Sequence, residues 1–296
     1  MSNRTFNYDI QSILDVDNTP PPPHERGFIY GGYNDLIDCD EYDRLVDAWT
    51  SKADMPAPGR ERLAGVSLSN NGYAISGYAS SDLADNAEYN PSTNTWTSKA
   101  DIPAGRNYAN GSAVNDKAYI YGGTIVGIAT QSNYEYDPVG DSWASKTDMP
   151  SDKFGIACTD IANQAYAFAG LTPMSQTAYG YDPVGDSWAS KTDMPAPARW
   201  KAEACTISGK GYIMGGDSAG HDNDEYDPVG DSWASKTDIP GSDFVNHAVF
   251  NASDKAYICC GVNGTPNYEY DPVGDSWATK AASPSRESMA SSTLIK

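Results

Sequence analysis

The sequence YDPVGDSWASKTD, residues 136–148, decides the fold because it recurs without a difference at residues 181–193 and 226–238. A fourth copy at residues 270–282 reads YDPVGDSWATKAA, and two more divergent copies precede them. One tryptophan marks each copy, and the six lie 44 to 47 residues apart, at Trp49, Trp96, Trp143, Trp188, Trp233 and Trp277. Self-similarity with a period of about 40 to 50 residues is typical of propellers and other repeat arrays.

Length and charge narrow the class of protein. The chain has 296 residues, enough for two average domains, but the repeat runs almost to the last residue and leaves no interior linker, which favours one domain. Forty Asp and Glu against 20 Lys and Arg give a formal net charge of −20, which repels phosphate backbones and anionic lipids. We therefore expect neither a nucleic acid nor a membrane as partner. The first residues lack the apolar core of a secretory signal, so we expect a protein made in the cytoplasm.

The third repeat shows how one copy divides into strands. Runs with strand character cover residues 108–114, 118–121, 133–136 and 142–146, and short turns or a loop separate them. In the turn before the last run, Asp137 can accept backbone N–H bonds, Pro138 fixes φ at about −65° and Gly140 permits positive φ. Four short strands per repeat and six repeats predict an all-β, six-bladed propeller of four-stranded antiparallel blades.

The five cysteines favour buried thiols over disulfides. They are an odd set, and Cys158 and Cys205 take the same apolar register in two different repeats. Cys259 and Cys260 are adjacent and could form a vicinal disulfide, although side chains of neighbouring strand residues point to opposite faces.

A doublet that ends in glycine follows the second run of every repeat. Its first residue is small, and its second is always glycine, at Gly32, Gly77, Gly123, Gly170, Gly216 and Gly261. Together with Tyr-Asp-Pro, the tryptophan seven residues after that tyrosine, and a proline and a basic residue before the next apolar run, this doublet resembles the kelch repeat. The resemblance covers residues 27–296.

The resemblance to kelch repeats implies that the tyrosine and tryptophan of each copy wedge between neighbouring blades. We therefore expect the six tryptophans to be buried there and to be structural rather than catalytic. An invariant glycine indicates a backbone requirement, so the six doublet glycines are predicted to be structural as well.

The two ends of the chain predict how the ring closes. The first repeat starts at Gly27 with the second run of a blade, and residues 288–295 match a first run that has no continuation. We expect the C-terminal strand to complete the N-terminal blade, which makes residues 26–296 one propeller. Residues 1–25 form a tail in which Pro20 to Pro23 act as an extended linker. The tail is either disordered or a docking peptide for another subunit, with Phe6, Tyr8 and Ile10 among its anchors.

One face of the propeller is predicted to bind a partner. The loops after the glycine doublets differ in every copy, and they lie at the same end of the blades as the connections between blades. About ten residues after each tryptophan, these connections place a cation in five of six blades, at Arg60, Arg106, Lys153, Arg199 and Arg286, with Asp243 in the remaining one. Aromatic residues follow at once in several blades, namely Tyr108, Phe154, Trp200 and Phe244. We predict that such rings, Trp200 and Phe244 above all, join the cations in holding a carboxylate or a sugar. The alternative is that the basic residues pack and hydrogen-bond within the fold.

No catalytic constellation stands out, and we expect no cofactor. Some kelch-like propellers are copper oxidases or sugar epimerases, but the three histidines, His24, His221 and His247, are scattered over a tail, a loop and a strand. Most carboxylates recur with the blade period as turn formers. A carboxylate pair for glycoside chemistry and a calcium site in Asp217, Asp222 and Asp224 stay open alternatives.

The sequence therefore predicts a non-catalytic scaffold that presents its variable loop face to a protein or glycan partner. A free-standing propeller with a docking-like tail suits a component of a larger assembly, and a phage or virus particle is one such setting. The alternative function is that of a sugar-binding or sugar-modifying enzyme that works at the same face.

Overall fold

The computed structural model of the protein describes residues 25–34, 36–241, 244–261 and 264–284 and the backbone of residues 291–295. Within these residues every regular element is a β-strand, and six four-stranded antiparallel sheets form the blades. The predicted all-β, six-bladed propeller is confirmed. No helix in this part of the chain is long and apolar enough to cross a membrane.

The strands of the first three blades follow in chain order. They are β1 (Arg26–Tyr30), β2 (Cys39–Asp43), β3 (Ala48–Ser51), β4 (Ala64–Leu68), β5 (Asn71–Ile75), β6 (Asn86–Asn90), β7 (Thr95–Lys99), β8 (Asn110–Val114), β9 (Lys117–Tyr121), β10 (Thr124–Ile125), β11 (Ile128–Ala129), β12 (Asn133–Asp137) and β13 (Ser142–Lys146). The short pair β10 and β11 forms a separate hairpin in the loop of the third blade.

The remaining strands complete the ring. They are β14 (Ala157–Ile161), β15 (Gln164–Phe168), β16 (Ala178–Asp182), β17 (Ser187–Lys191), β18 (Glu203–Ile207), β19 (Lys210–Met214), β20 (Asn223–Asp227), β21 (Ser232–Ser235), β22 (Ala248–Ala252), β23 (Lys255–Cys259), β24 (Asn267–Asp271), β25 (Ser276–Thr279) and β26 (Ser291–Ile295). The C-terminal strand β26 pairs with β1, so the sheet of the first blade runs β26-β1-β2-β3.

The innermost strands line a central channel. In order around the axis they are β26, β4, β8, β14, β18 and β22, and each contacts the next. Two-residue turns join the first and second strands of a blade, as at Asn115 and Asp116, whose φ values of 51° and 58° fit a hairpin turn of type I′. These turns lie at the same end of the ring as the DPVGD turns, and we call this end the turn face. The glycine doublets and the connections between blades lie at the opposite end, the loop face.

The second strand of every blade is buried on both sides because it lies between neighbouring blades. In β9, for example, Ala118 to Tyr121 are all buried, and the same pattern occurs in β5, β15, β19 and β23. The cysteines also lie in this interior: all five are buried thiols, and the Sγ atoms of Cys259 and Cys260 are 3.7 Å apart. The predicted buried thiols are confirmed.

A set of three side chains fastens each blade to the blade before it. In the third blade, the Asp141 carboxylate accepts hydrogen bonds from the Tyr136 hydroxyl (2.7 Å) and from the backbone N–H of Ala100 in the second blade (2.8 Å). The indole N–H of Trp143 donates to the carbonyl oxygen of the same Ala100 (2.8 Å). Both backbone groups of one residue are therefore held by the next blade, and we call this arrangement the clamp.

The clamp occurs at all six junctions. Counting from the first blade, the clamped residues are Ala281, Ala53, Ala100, Thr147, Thr192 and Thr237. In the second blade Asn94 replaces the aspartate and accepts the same bonds, from Tyr89 and from Ala53. The first blade clamps Ala281 of the sixth through Asp47 and Trp49, so the ring is closed by the same bonds that join its other blades.

The tyrosines, rather than the tryptophans, are the fully buried wedges. Tyr136 is 0 % exposed and packs against Tyr73 of the second blade, with ring centroids 5.8 Å apart. The six clamp tryptophans lie at the outer edge and are all partly exposed. The expectation of buried tryptophans is wrong in this respect, because the indole must reach outward to the carbonyl oxygen of the preceding blade.

Three predictions concern residues outside the described part of the chain. The tail with its proline linker lies almost entirely in residues 1–24, which are outside the described part. Arg286 and the first residues of the predicted closing strand lie in residues 285–290, which are also outside it. The described closing strand begins at Ser291.

The clamp aspartate should be replaceable by asparagine but not by alanine. Asp141→Ala removes the acceptor of two hydrogen bonds and should lower the free energy of unfolding by about 1–2 kcal/mol. Asp141→Asn should change it by less than about 0.5 kcal/mol, because Asn94 makes the same bonds in the second blade. Urea unfolding of both variants measures the difference, and equal stability of the two would show that the clamp contributes nothing.

The stability that the clamp contributes should decrease at acid pH. Hydrogen bonds lower the pKa of Asp141, Asp186 and Asp275, with the Ala100 N–H, the Tyr181 hydroxyl and the Thr237 N–H as the respective main donors. A depressed folded-state pKa stabilises the fold above the unfolded pKa of about 3.9, and this contribution is lost as the pH falls through the folded pKa. The triple variant Asp141→Asn/Asp186→Asn/Asp275→Asn should match the wild type at pH 7 and lose less stability toward pH 3, as followed by thermal unfolding. If the wild type and the triple variant lost the same stability toward pH 3, the clamp aspartates would not be the source of the pH dependence.

Candidate functional site

The loop face is organised by bonds from the glycine doublets to the connections between blades. The second glycine donates its N–H to the carbonyl oxygen of the residue at the predicted cation position. These pairs are Gly32 with Arg60 (2.9 Å), Gly77 with Arg106 (2.9 Å), Gly123 with Lys153 (2.8 Å), Gly170 with Arg199 (3.0 Å) and Gly216 with Phe244 (2.7 Å). At this glycine φ lies between 89° and 138° in all six blades, a region that other residues rarely adopt. The geometry explains the invariance of Gly32, Gly77, Gly123, Gly170, Gly216 and Gly261.

These bonds also set the register of the sixth blade. Phe244, not Asp243, takes the position that holds arginine or lysine elsewhere, so the sequence alignment was shifted by one residue here. Asp243 itself lies outside the described residues. Phe244 is 2 % exposed and packs in the core with Met214 and Ile239.

The three arginines at this position are inside the protein. Arg60, Arg106 and Arg199 are at most 1 % exposed. Arg106 donates to the carbonyl oxygens of Ala104 and Gly122 and to the Ser132 hydroxyl. Burial lowers the pKa of Arg60 and of Arg106. Their placement favours the structural alternative, in which these side chains tie the loops to the blades.

Arg199 and Lys153 have different internal partners. Arg199 forms a buried ion pair with Asp224 and donates to the carbonyl oxygen of Gly215. Lys153 is 3 % exposed, and its Nζ donates to the Ser175 hydroxyl (2.8 Å) and to the carbonyl oxygen of Pro173 (3.2 Å). Burial lowers the pKa of Lys153.

The residues that surround the channel mouth lie two positions further along the chain. Arg62, Tyr108, Gly155, Lys201 and Asn246 all have φ between 53° and 59°. Backbone bonds link four of them in a row: the N–H of Tyr108 donates to the carbonyl oxygen of Arg62, that of Gly155 to Tyr108 and that of Lys201 to Gly155, at 2.8 to 3.0 Å. The left-handed backbone at this position turns the chain from the loop face into the innermost strand.

Aromatic rings and cations meet at this mouth. The ring centroids of Tyr108, Phe154 and Trp200 lie 5.5 to 5.9 Å from one another. The guanidinium of Arg62 lies over the Tyr108 ring at 4.7 Å, and Nζ of Lys201 lies over the Trp200 ring at 4.0 Å. All five side chains are partly exposed, and we call them the mouth cluster.

Two carboxylates hold the mouth cluster in place. The Trp200 indole N–H donates to Asp217 (3.0 Å), and Arg62 pairs with Glu61 (2.9 Å). The guanidinium of Arg62 also lies 5.1 Å from the Tyr78 ring, so it is sandwiched between two tyrosines. Side chains fixed in this way are pre-organised for a ligand, which reduces the conformational entropy lost on binding.

Two cavities adjoin the mouth cluster. A cleft of about 740 Å³ lies on the loop face between the second and third blades and is lined by Arg62, Tyr78, Asp82, Tyr108 and Phe154 among others. A smaller space of about 50 Å³ lies beneath Arg62, Tyr108 and Lys201 and leads into the channel. The channel itself holds a cavity of about 500 Å³ toward the turn face.

Glu203 and His247 also line the small space, and burial favours the neutral form of both. Glu203 is partly exposed to solvent but surrounded by protein atoms, and this burial raises its pKa to about 8 although Asn110 donates to its carboxylate. His247 is 1 % exposed, and burial lowers its pKa to about 3. The positive charge of Arg62 and Lys201 is therefore not cancelled by a carboxylate below them.

The three aspartates considered as calcium ligands face other groups. Asp224 pairs with Arg199, Asp222 lies 3.9 Å from the Arg199 guanidinium, and Asp217 accepts from Trp200. In the part of the chain that the structure describes, no group of three or more His, Cys, Asp or Glu side chains is arranged to hold a metal ion.

Comparison with known proteins agrees with the repeat geometry. The family model described as the Kelch motif matches residues 105–150, which span the third blade from its inner connection to its outer strand. The third blade therefore carries a kelch motif, and the chain folds as a six-bladed propeller of similar repeats. The solved "Structure of YjhT" has a similar fold, with a TM-score of 0.70 and 14 % sequence identity over 87 % of this chain and 90 % of that one. No curated protein matches the sequence significantly.

The mouth cluster of this kelch propeller overlaps only partly with the residues predicted from sequence. Trp200 lies in it, whereas Arg60, Arg106, Lys153, Arg199 and Phe244 are buried beneath the loop face. Arg62 and Lys201 were not among the predicted site residues, whereas Tyr108 and Phe154 were noted from sequence as aromatic residues that follow the connection position. A signal for them exists in the spacing, because each lies one or two residues after the invariant connection position.

The buried Arg199 should be needed for stability because of its partner. Arg199→Met leaves the Asp224 carboxylate buried without its cation and should lower the free energy of unfolding by about 3–5 kcal/mol. The double variant Arg199→Met/Asp224→Leu should recover most of that loss, because Phe244 fills the same position with no charge in the sixth blade. Urea unfolding measures both variants. A cost below about 1 kcal/mol for Arg199→Met alone would contradict the ion pair's role.

Proposed function

We propose that this kelch propeller is a non-catalytic binding module whose loop face holds a partner that carries carboxylate groups, either an acidic peptide segment of a protein or an acidic glycan. The kelch fold supports an interaction or scaffold role. The observation that carries the proposal is the mouth cluster, in which three aromatic rings and two cations converge at the channel entrance.

The chemistry of the mouth cluster suits such a partner. Arg62 is held between Tyr78 and Tyr108, and a guanidinium fixed in this way can pair with a carboxylate through two parallel N–H bonds. The rings of Phe154 and Trp200 offer partly exposed apolar area to the remainder of the ligand, whether an apolar side chain or the C–H face of a sugar.

Electrostatics favour an anion at this point even though the protein as a whole is acidic. The net charge is −20 and Glu61 already pairs with Arg62, but burial raises the pKa of Glu203, the carboxyl in the small space below the mouth, to about 8, which favours its neutral form at pH 7. Above pH 8 Glu203 becomes charged and should repel a bound carboxylate. Affinity for an acidic ligand is therefore expected to fall as the pH rises from 7 to 9, and Glu203→Gln should remove that dependence.

The variable loops provide the specificity of the module. The third blade carries the extra hairpin of β10 and β11, and the backbone N–H of its Val126 donates to Asp82 of the second blade (2.6 Å). This contact shapes one wall of the 740 Å³ cleft beside the mouth cluster. Side chains that differ from blade to blade, rather than the repeated ones, line the cleft, as expected for a site that recognises one asymmetric partner.

A panel of acidic peptides and an array of neutral and acidic glycans test the proposal. Wild-type protein should bind an acidic member of one panel, and Arg62→Ala/Lys201→Ala and Trp200→Ala should each weaken that binding by tenfold or more, a loss of about 1.4 kcal/mol. Lys117→Ala is the matched control, since it removes one cation at the turn face. Circular dichroism of each variant confirms that the propeller is intact.

Two results would overturn the proposal. Full binding by Arg62→Ala/Lys201→Ala and by Trp200→Ala would exclude the mouth cluster, and conversion of a bound glycan, followed by mass spectrometry, would show the sugar-modifying enzyme instead of a binding module. Membership of a larger assembly, such as a virus particle, stays a prediction that rests on the tail of residues 1–25.

A further inference from the structure

Sequence identity among the third to sixth blades is highest in their outer hairpins. The turn and fourth strand are the same in three blades and nearly the same in the sixth, whereas the innermost strands read NGSAV, ACTDI, EACTI and AVFNA. Duplication of whole repeats would have left both regions equally similar. The outer hairpin is therefore under a requirement that the inner strands do not share.

Folding explains only part of that requirement. The tyrosine, the second aspartate and the tryptophan form the clamp, and the first aspartate accepts the backbone N–H of the valine two residues later, as Asp137 does from Val139 (2.9 Å). The valine side chain itself has no such role, because Val139 is 96 % exposed. The second blade confirms this: Ser92 replaces the valine there, and its N–H makes the same 2.9 Å bond to Asn90.

Five blades nevertheless place a branched aliphatic side chain at the tip of this turn. The exposed fractions are 56 % for Leu45, 96 % for Val139, 86 % for Val184, 96 % for Val229 and 95 % for Val273. All five lie at the same position of their blades, so they form a ring around the rim of the turn face that is interrupted only at Ser92 of the second blade. Single exposed aliphatic residues are common on protein surfaces, but aliphatic residues that recur at one position of the repeat are not randomly distributed.

Charges beside these tips are paired in three blades, the third, fifth and sixth. Lys117 lies 2.6 Å from Asp137, and Lys255 lies 2.7 Å from Asp271, with the equivalent Lys210 and Asp227 at 4.0 Å. In these three blades the rim of the turn face therefore carries paired positive and negative groups, in contrast to the net charge of −20. Such a pattern is complementary to a copy of itself, since lysines of one ring can approach aspartates of the other.

We propose that the turn face is a self-association surface, on which two copies of this chain meet with their rings of aliphatic tips in contact. A two-fold axis in the plane of the interface superimposes one ring on the other, and the near six-fold repetition brings aliphatic tip against aliphatic tip. Ten side chains at roughly 100 Å² each would bury about 1,000 Å², which is near the lower limit for a specific interface. The dimer is therefore weak and reversible.

This arrangement has a consequence for binding. Two propellers joined at their turn faces present their loop faces in opposite directions, so the dimer is bivalent. A partner with repeated sites would be bound with an avidity that exceeds the affinity of one loop face. The self-association itself does not depend on what the loop face binds.

Sedimentation equilibrium of the full chain tests the proposal. At protein concentrations on the order of 0.1 mM and about 0.5 M salt, which screens the repulsion between two acidic chains, the wild type should show a reversible monomer–dimer equilibrium. The variant Val139→Ser/Val184→Ser/Val229→Ser/Val273→Ser should raise the dissociation constant at least tenfold and still fold, because Ser92 occupies this position in the second blade. Trp200→Ala, on the loop face, should leave the equilibrium unchanged.

Spin labels identify which face is in contact. The described cysteines are all buried, so a label can be attached selectively at Val229→Cys on the turn face or at Val126→Cys on the loop face. Pulsed electron paramagnetic resonance should give a defined distance between the two copies for the label at Val229→Cys. The two labels at Val126→Cys should lie too far apart for a distance to be measured. A wild type that stays monomeric at these concentrations, a dimer that the serine variant does not weaken, or contact at the loop-face label would each overturn the proposal.

Discussion

The clamp between successive blades is the interaction on which the rest of the structure depends. Strands of a propeller pair only within their own blade, so side-chain packing and a few bonds must hold one blade to the next. Here an aspartate or asparagine accepts the N–H, and a tryptophan donates to the carbonyl oxygen, of one residue in the preceding blade. The buried tyrosine fixes that acceptor by donating its hydroxyl to it. Since the first blade clamps Ala281 in the same way, six equal junctions close the ring.

This repeated seam separates the structural part of the molecule from the part that is free to vary. The outer hairpins and the doublet glycines fix the positions of the blades, and the buried arginines tie the connections to them. The loops and the channel mouth carry no such requirement, and the blades differ there. The mouth cluster arises from these differences: Tyr108, Phe154 and Trp200 come from three adjacent connections, and Arg62 and Lys201 lie over the rings of Tyr108 and Trp200.

The sequence predicted the architecture well because the fold depends on period and turn chemistry, and both can be read from one chain. The site was harder to predict because it depends on backbone direction. The arginines at the connection position point inward and are buried, whereas Arg62 and Lys201, two residues later, have left-handed φ and surround the channel mouth. No pattern of residue types distinguishes these two directions. The one-residue shift at Phe244 has a similar cause, since only the bond from Gly216 fixes the register in that blade.

Hydrogen exchange of the clamped amides is the most direct test of the closed ring. The six amides belong to Ala53, Ala100, Thr147, Thr192, Thr237 and Ala281, just after the outermost strands, where exchange would be fast if the next blade did not bind them. The account predicts that all six exchange as slowly as amides of the neighbouring strands, and that Ala281 at the closing junction is protected as well as Ala100. Fast exchange at Ala281 with protection at the other five would show a ring that is open between its first and last blades.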